Sequence, residues 1–125
     1  MILIDSSVWV DHFRMAEPRI ALLAEEETIL MHPLVFGELA MGNFARRTTV
    51  LMWLEDFIPA AQARHDEVLH LVESAQLLGR GLGFIDAHLL ASARLMPGVQ
   101  LWTRDKRLVD AAEVLGIGVL EETRH

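Results

Sequence analysis

The chain has 125 residues, of which 52% are hydrophobic and 23% charged, and its formal net charge is −7. This length suits one domain over residues 1–125 and is too short for two. The absence of cysteine excludes disulfides, thiolate zinc sites and a cysteine nucleophile. The acidic balance argues against general, non-specific binding of nucleic acid, because proteins of that kind are usually basic.

The apolar stretches do not indicate a membrane segment or a secretion signal. Charged residues interrupt each stretch well before the roughly 18 residues that a membrane-spanning helix needs. The N-terminal run from Met1 to Asp5 has no basic segment before it, which favours a strand over a signal peptide. We therefore expect a soluble, cytoplasmic protein that does not associate with membranes.

Short apolar runs alternate with longer segments of helical spacing along the whole chain. The predicted strands lie at 1–4, 28–31, 57–59, 99–102 and 118–120. Helices are predicted at 6–14, capped by Ser6 or Ser7, and at 33–41, 46–56, 65–78, 84–95 and 105–115. This alternation is typical of a three-layer α/β fold with a central, mostly parallel sheet of about five strands.

Four acidic residues differ from the others, most of which occur in polar pairs or runs. Asp5 directly follows the first predicted strand, and Asp105 comes shortly after the fourth, so both lie at strand carboxyl ends, where ligand sites form in open α/β sheets. Glu38 and Asp86 have mainly apolar neighbours three and four positions away on their predicted helices. An ionised carboxylate on an apolar face needs a cation, a metal or a proton as partner.

Each of these acids also has a purely structural interpretation. Asp5, Asp86 and Asp105 stand where an aspartate can cap the N-terminus of a helix. Glu38 can instead form an ion pair with an arginine. Two of the acids lie at strand ends and two on helix faces that would have to cover the same sheet edge. Together they therefore favour a shared site.

A shared carboxylate site has a definite chemistry. Several carboxylates cannot all stay ionised a few ångströms apart without a cation. Oxygen ligands suit Mg²⁺ or Mn²⁺, whereas zinc calls for cysteines or closely spaced histidines, and the sequence has no HxxxH pattern. A cation of this kind with open positions is suited to hydrolysing a phosphodiester. No GxxxxGK[ST] or GxGxxG loop indicates a nucleoside triphosphate or dinucleotide site.

The segments that carry the four acids also match a known family. They read ILIDSSVWVD, GEL, FIDAHLLA and LWTRDKRL. In this order and at these spacings the sequence resembles PIN-domain ribonucleases, closely the VapC toxins of bacterial toxin–antitoxin pairs, over essentially the whole chain. One departure is Ser7, where many members carry asparagine, although a hydroxyl can still orient Asp5.

The resemblance implies a Mg²⁺- or Mn²⁺-dependent endoribonuclease that cleaves tRNA or another structured RNA. By position, Asp5, Asp86 and Asp105 would bind the metal. Glu38 would hold a ligand water or activate the attacking water, and Thr103 would hydrogen-bond Asp5 or a phosphate. The family further implies a homodimer, inhibited by a cognate VapB-type antitoxin whose tail enters the acidic pocket.

Two basic clusters are candidates for RNA contacts, since the planar guanidinium of arginine suits phosphate. One comprises Arg104, Lys106 and Arg107, which adjoin Asp105, and the other comprises Arg46 and Arg47. Solvated charges at the start of a helix are the structural alternative for the first cluster.

Two other functions stay open at this point. One is a catalytically silent PIN-fold binding module. The other is a receiver-like signalling domain, which has a similar length and acids around Mg²⁺. A receiver domain requires an acidic pair after its first strand and a lysine ending its last. Here Asp5 stands alone and Lys106 follows another acid.

Overall fold

A computed structural model of the protein describes residues 1–122. Its strands are β1 (Ile2–Ile4), β2 (Ile29–Met31), β3 (Ile58–Pro59), β4 (Gln100–Trp102) and β5 (Gly118–Val119). Its helices are α1 (Ser6–Arg14), α2 (Pro18–Glu25), α3 (Pro33–Ala40), α4 (Arg47–Glu55), α5 (His65–Ser74), α6 (Phe84–Arg94) and α7 (Lys106–Val114). Within residues 1–122, no helix is long and apolar enough to cross a bilayer.

The strands form one parallel sheet in the order β3-β2-β1-β4-β5. Leu3 of the central strand β1 pairs with Leu30 of β2 on one side and with Leu101 of β4 on the other. The chain therefore adds β2 and β3 on one side of β1 and then adds β4 and β5 on the other side. Because parallel connections are right-handed, this reversal places helices on both faces of the sheet. The predicted three-layer fold with a five-stranded parallel sheet is confirmed.

The sheet is the centre of the hydrophobic core. Every residue of β1 and β2 is buried, as expected for parallel strands that are covered on both faces. Trp9 from α1 and Trp102 from β4 are the largest side chains with no exposed surface in the described part of the chain. The elements that border the central strand are therefore firmly packed.

The helices differ from the prediction in two places. Helix α2 was not predicted; it is eight residues long, and Ile20 is its one fully buried residue in the structure, so its apolar periodicity is weak. The helix predicted at 65–78 ends at Ser74, because Gln76 adopts a left-handed φ of 52° and Leu77 donates its N–H to Val72 O. Leu78, expected on the apolar stripe of that helix, is exposed.

The point where the sheet reverses direction lies between β1 and β4, and it positions the candidate site. Asp5 follows β1 and donates its backbone N–H to Trp102 O at 2.9 Å, so the carboxyl ends of the two strands are joined. Open α/β sheets bind ligands in the crevice at such a switch point.

Candidate active site

Asp5 is the most tightly held of the four predicted site acids. Its side chain is 5% exposed and accepts three short hydrogen bonds, from Ser6 N at 2.8 Å, Ser7 Oγ at 2.8 Å and Thr103 Oγ1 at 2.7 Å. Asp5 is also the N-cap of α1, so the prediction that Ser6 or Ser7 caps this helix is wrong. The carboxylate of Asp5 thus has a fixed orientation at the end of the central strand.

The loop after β4 is tied to the same carboxylate. Thr103 Oγ1 donates to Asp5 Oδ2 and accepts a hydrogen bond from Asp105 N at 3.1 Å. Ser7 Oγ donates to Asp5 and accepts one from Arg104 N at 3.0 Å. The predicted supporting residues Ser7 and Thr103 therefore couple the position of Asp5 to the loop that carries Asp105.

Glu38 lies on α3 and accepts a hydrogen bond from Ser6 Oγ at 3.1 Å. Partial burial raises the pKa of the Glu38 carboxyl; the hydrogen bond from Ser6 opposes this, and the negative charges of Asp5 and Asp86 raise it further. Its side chain is exposed, which corrects the prediction of a wholly apolar helix face, because only Val35 and Leu39 of α3 are buried.

Asp86 lies in the first turn of α6. Its Oδ2 accepts a hydrogen bond from Gly83 N at 2.9 Å, so it does cap this helix, as its structural interpretation required. Burial raises the pKa of Asp86 against the opposing effect of the Gly83 hydrogen bond, and the charges of Asp5 and Asp105 raise it further. Asp86 thus combines a capping hydrogen bond with repulsion from two other carboxylates.

Asp105 caps α7. Its Oδ1 accepts a hydrogen bond from Arg107 N at 2.9 Å and is 3.4 Å from Arg107 Nε. Because it repels Asp86, which in turn repels Asp5 and Glu38, the four acids form one electrostatically coupled group. We call Asp5, Glu38, Asp86 and Asp105 the carboxylate cluster.

The oxygen atoms of the carboxylate cluster are suitable ligands for a hard divalent cation, but the side chains lie farther apart than in a formed metal site. All are carboxylate oxygens, the ligands that Mg²⁺ and Mn²⁺ prefer. In residues 1–122, no three Asp, Glu or His side chains lie close enough to form a ready-made metal-binding group. Asp86 and Asp105 each accept a hydrogen bond from a nearby backbone N–H group.

Arg104, predicted to contact RNA, is held by three carboxylates outside the carboxylate cluster. Its guanidinium donates to Asp11 Oδ2 at 2.9 Å, Glu17 Oε2 at 2.7 Å and Glu122 Oε1 at 2.7 Å. Because Nη1, Nη2 and Nε each donate to a carboxylate, the guanidinium of Arg104 has little capacity left to bind a phosphate. We call this group of four residues the Arg104 cluster.

The other basic residues of the first predicted group are exposed. Lys106 lies 3.6 Å from Asp110 on the next turn of α7, and Arg107 approaches Asp105. The contact with Asp105 places Arg107 beside the carboxylate cluster, and the charge of Arg107 offsets part of the rise in the pKa of Asp86.

Arg46 and Arg47 belong to the start of α4. Arg46 is the N-cap, with a left-handed φ of 55°, and its side chain is exposed. Arg47 donates to Ala40 O and to Gly42 O, and so closes the end of α3. Arg47 therefore has a structural role, because these carbonyls occupy its guanidinium.

Sequence reasoning missed two features of the site. The sequence predicts Ser6 only as a helix cap, yet its hydroxyl donates to Glu38 and its N–H donates to Asp5; the available signal is its position beside a strand-end acid. The partners of Arg104 lie 93, 87 and 18 residues away along the chain, and no local pattern indicates them.

Comparison with known proteins agrees with this geometry. The sequence profile of the PIN domain matches residues 2–114. The chain belongs to the PIN domain family. It is 46% identical over 122 residues to Ribonuclease VapC32 from two strains of Mycobacterium tuberculosis, with 98% of each chain covered. The resemblance to VapC-type PIN-domain ribonucleases is therefore confirmed, and the receiver-like alternative is wrong.

Two solved structures share the fold at low sequence identity. PAE2754 from Pyrobaculum aerophilum superimposes with a TM-score of 0.65 at 20% identity, covering 88% of this chain and 83% of that one. FitAcB from Neisseria gonorrhoeae gives a TM-score of 0.63 at 19% identity, covering 97% of both chains. Matches at this identity support the architecture alone.

Proposed function

We propose that this PIN-family member is an endoribonuclease toxin that hydrolyses phosphodiester bonds in tRNA or another structured RNA with Mg²⁺ or Mn²⁺. It acts as a single domain spanning residues 1–125. The observation that carries the proposal is that Ser6 and Thr103 link Glu38 and Asp105 to Asp5 by hydrogen bonds at the sheet's switch point, with Asp86 close enough for its charge to act on Glu38. The 46% identity to a ribonuclease over nearly the whole chain supports the choice of RNA.

Asp5, Asp86 and Asp105 are the residues that would hold the cation. Bound there, the cation would supply a water of lowered pKa and offset negative charge on the phosphate. Asp5 is suited to a fixed ligand position because Ser6, Ser7 and Thr103 orient it. Asp86 and Asp105 can exchange their backbone hydrogen bonds for ligand contacts through side-chain rotation.

Glu38 is suited to accept a proton from the attacking water. Its raised pKa makes it a stronger base than an ordinary glutamate. The Ser6 hydroxyl holds one carboxylate oxygen, Oε1, by a hydrogen bond. Oε2 is therefore the better placed of the two oxygens to receive a proton.

The test is cleavage of unfractionated tRNA by the purified protein, with Mg²⁺ or Mn²⁺ and with excess chelator. We expect cleavage that needs the cation and that disappears in Asp5→Asn and Asp86→Asn. Cleavage that persists in chelator or in both variants contradicts the proposal. A protein that binds RNA and the cation but never cleaves is instead the silent binding module. Sequencing the RNA ends from brief expression would identify the substrate and the bond.

We further propose that a cognate VapB-type antitoxin neutralises the protein by supplying positive charge to the carboxylate cluster, and that the active form is a cytoplasmic homodimer. The acidic cluster and the VapC-type relative support the antitoxin as partner. Expression should arrest growth, and co-expression of the neighbouring gene should relieve the arrest. Light scattering of the purified chain tests the dimer, and a monomeric mass contradicts it.

A further inference from the structure

The position of the Arg107 side chain depends on the absence of a side chain at Gly81. A Cβ built on Gly81 would lie 2.8 Å from Arg107 Nη1 and 3.1 Å from its Cδ, closer than packed atoms allow. Gly81 also has a φ of +77°, which side-chain-bearing residues rarely adopt. The loop between α5 and α6 is thus shaped so that the Arg107 side chain lies directly against its backbone.

In this position the guanidinium of Arg107 lies beside the carboxylate cluster. Its Nε is 3.4 Å from Asp105 Oδ1, and its charge acts on Asp86, the next acid in the cluster. The side chain is nevertheless 63% exposed, so part of the guanidinium faces solvent. Arg104, three positions earlier in the sequence, is instead bound by the three carboxylates of the Arg104 cluster.

We propose that Arg107, seated on Gly81, is the phosphate-positioning residue of this site. In the resting protein its guanidinium partly neutralises Asp105 and Asp86, and with substrate bound it donates to a backbone phosphate of the RNA. This inference rests on the proposed ribonuclease function. The inference assigns the phosphate contact to Arg107 and explains why a glycine at position 81 is needed in the loop between α5 and α6.

The chain offers matched controls for both partners. Arg80 carries the same charge one position from Gly81, but its Nε donates to Gln76 O, in the turn that follows α5. Gly79 has nearly the same left-handed φ, +75°, yet a Cβ there would meet nothing within 4 Å. Gly79→Ala and Gly81→Ala therefore introduce the same backbone strain, and only the second displaces Arg107.

The first experiment compares cleavage of unfractionated tRNA by Arg107→Ala and Arg80→Ala. Loss of a charged hydrogen bond should lower kcat/KM of Arg107→Ala by roughly tenfold to a hundredfold, mainly through KM. Arg80→Ala should stay within about twofold of the wild type. Gly81→Ala should follow Arg107→Ala, Gly79→Ala should not, and Gly81→Ala should add no further loss once Arg107 is alanine. Thermal melting of every variant checks that it is folded.

The second experiment needs no cleavage. Titration of the metal-free protein with Mn²⁺ should give binding about two- to fivefold tighter for Arg107→Ala than for the wild type, because a competing positive charge is removed. Arg80→Ala should bind as the wild type does. Unchanged kcat/KM in Arg107→Ala, equal effects of the two glycine variants, or unchanged Mn²⁺ binding overturns the inference. Failure of the wild type itself to cleave contradicts the proposed function instead.

Discussion

Two acidic groups border the same loop of this protein and differ in how their charge is balanced. In the Arg104 cluster, Asp11, Glu17 and Glu122 all accept hydrogen bonds from one guanidinium. In the carboxylate cluster, one exposed arginine approaches one of four acids. The two groups are joined through Ser7, which accepts from Arg104 N and donates to Asp5.

The difference between the groups is visible in their pKa shifts. Burial by itself would raise the pKa of Glu122, but hydrogen bonds from Arg104 and Trp102 lower it overall. The pKa values of Glu38 and Asp86 are raised, because burial and like charges act on them without a matching cation. A lowered carboxyl pKa thus accompanies a structural role here, and the raised ones belong to acids of the proposed cation site.

The largest expected effect comes from neutralising one aspartate, and the same substitution in the other group is its control. Asp5→Asn should reduce RNA cleavage by roughly 10²-fold or more, because a fixed negative charge of the site is lost while asparagine still caps α1. Asp11→Asn makes the same change in the Arg104 cluster and should leave cleavage within about twofold. Initial rates on tRNA at saturating Mg²⁺ measure both, and equal losses would remove the distinction between the groups.

Removing the guanidinium of the Arg104 cluster should have the next largest effect, on stability. Arg104→Ala leaves three partly buried carboxylates without their cation and should lower the free energy of unfolding by about 1–3 kcal/mol. Arg64→Ala removes an arginine paired with Asp66 and Glu67 on an exposed surface, and its denaturation midpoint should not change detectably. Urea unfolding in chelator gives both values. A larger effect at Arg64 would contradict the account.

Neutralising an acid of the carboxylate cluster should stabilise the metal-free protein. Asp86→Asn relieves repulsion from Asp5 and Asp105 while its amide oxygen can still accept from Gly83 N, so we expect a gain of about 0.5–1 kcal/mol. Asp66→Asn, in an exposed pair with Arg64, should give no gain. Saturating Mg²⁺ should reverse the order of wild type and Asp86→Asn in thermal melts. A destabilised, metal-free Asp86→Asn argues that the residue is a cap and nothing more.

The smallest expected effect is the pH dependence of these stabilities, which should have opposite signs in the two groups. Glu38 has a pKa above its ordinary 4.5, so the destabilisation it causes is complete above the raised value and absent below 4.5. Glu122 has a pKa below 4.5, so its stabilisation is present above 4.5 and is lost as the pH falls through the lowered value. Glu38→Gln should therefore be more stable than the wild type at pH 7, and Glu122→Gln less stable. Both differences should shrink below pH 4.5 in urea unfolding experiments.

The sequence was informative wherever the signal is local. Strand ends identify Asp5 and Asp105, because Asp5 directly follows a buried strand and Asp105 comes three residues after the end of another. Helical spacing identified Asp86 and Glu38 as unusual, although the exposure of Glu38 depends on which side of α3 packs against the core. The five strands and the sheet class followed from alternation of patterns along the chain.

Long-range pairing was not predictable from the sequence. Arg104 and Arg107 carry the same charge and lie three positions apart, so the sequence makes them equal candidates for RNA contact. Their different environments arise because α1, α2 and the segment after β5 bring Asp11, Glu17 and Glu122 to one of them. The seat of Arg107 likewise depends on the backbone conformation of Gly81.

The most direct test of the central claim is calorimetric titration of metal-free protein with Mn²⁺ in the absence of RNA. The wild type should bind saturably, Asp86→Asn should bind at least about tenfold more weakly, and Asp11→Asn should match the wild type. Such a result would show that the carboxylate cluster, and not the Arg104 cluster, is the cation site. Equal binding by wild type and Asp86→Asn, or no saturable binding by the wild type, would contradict the account.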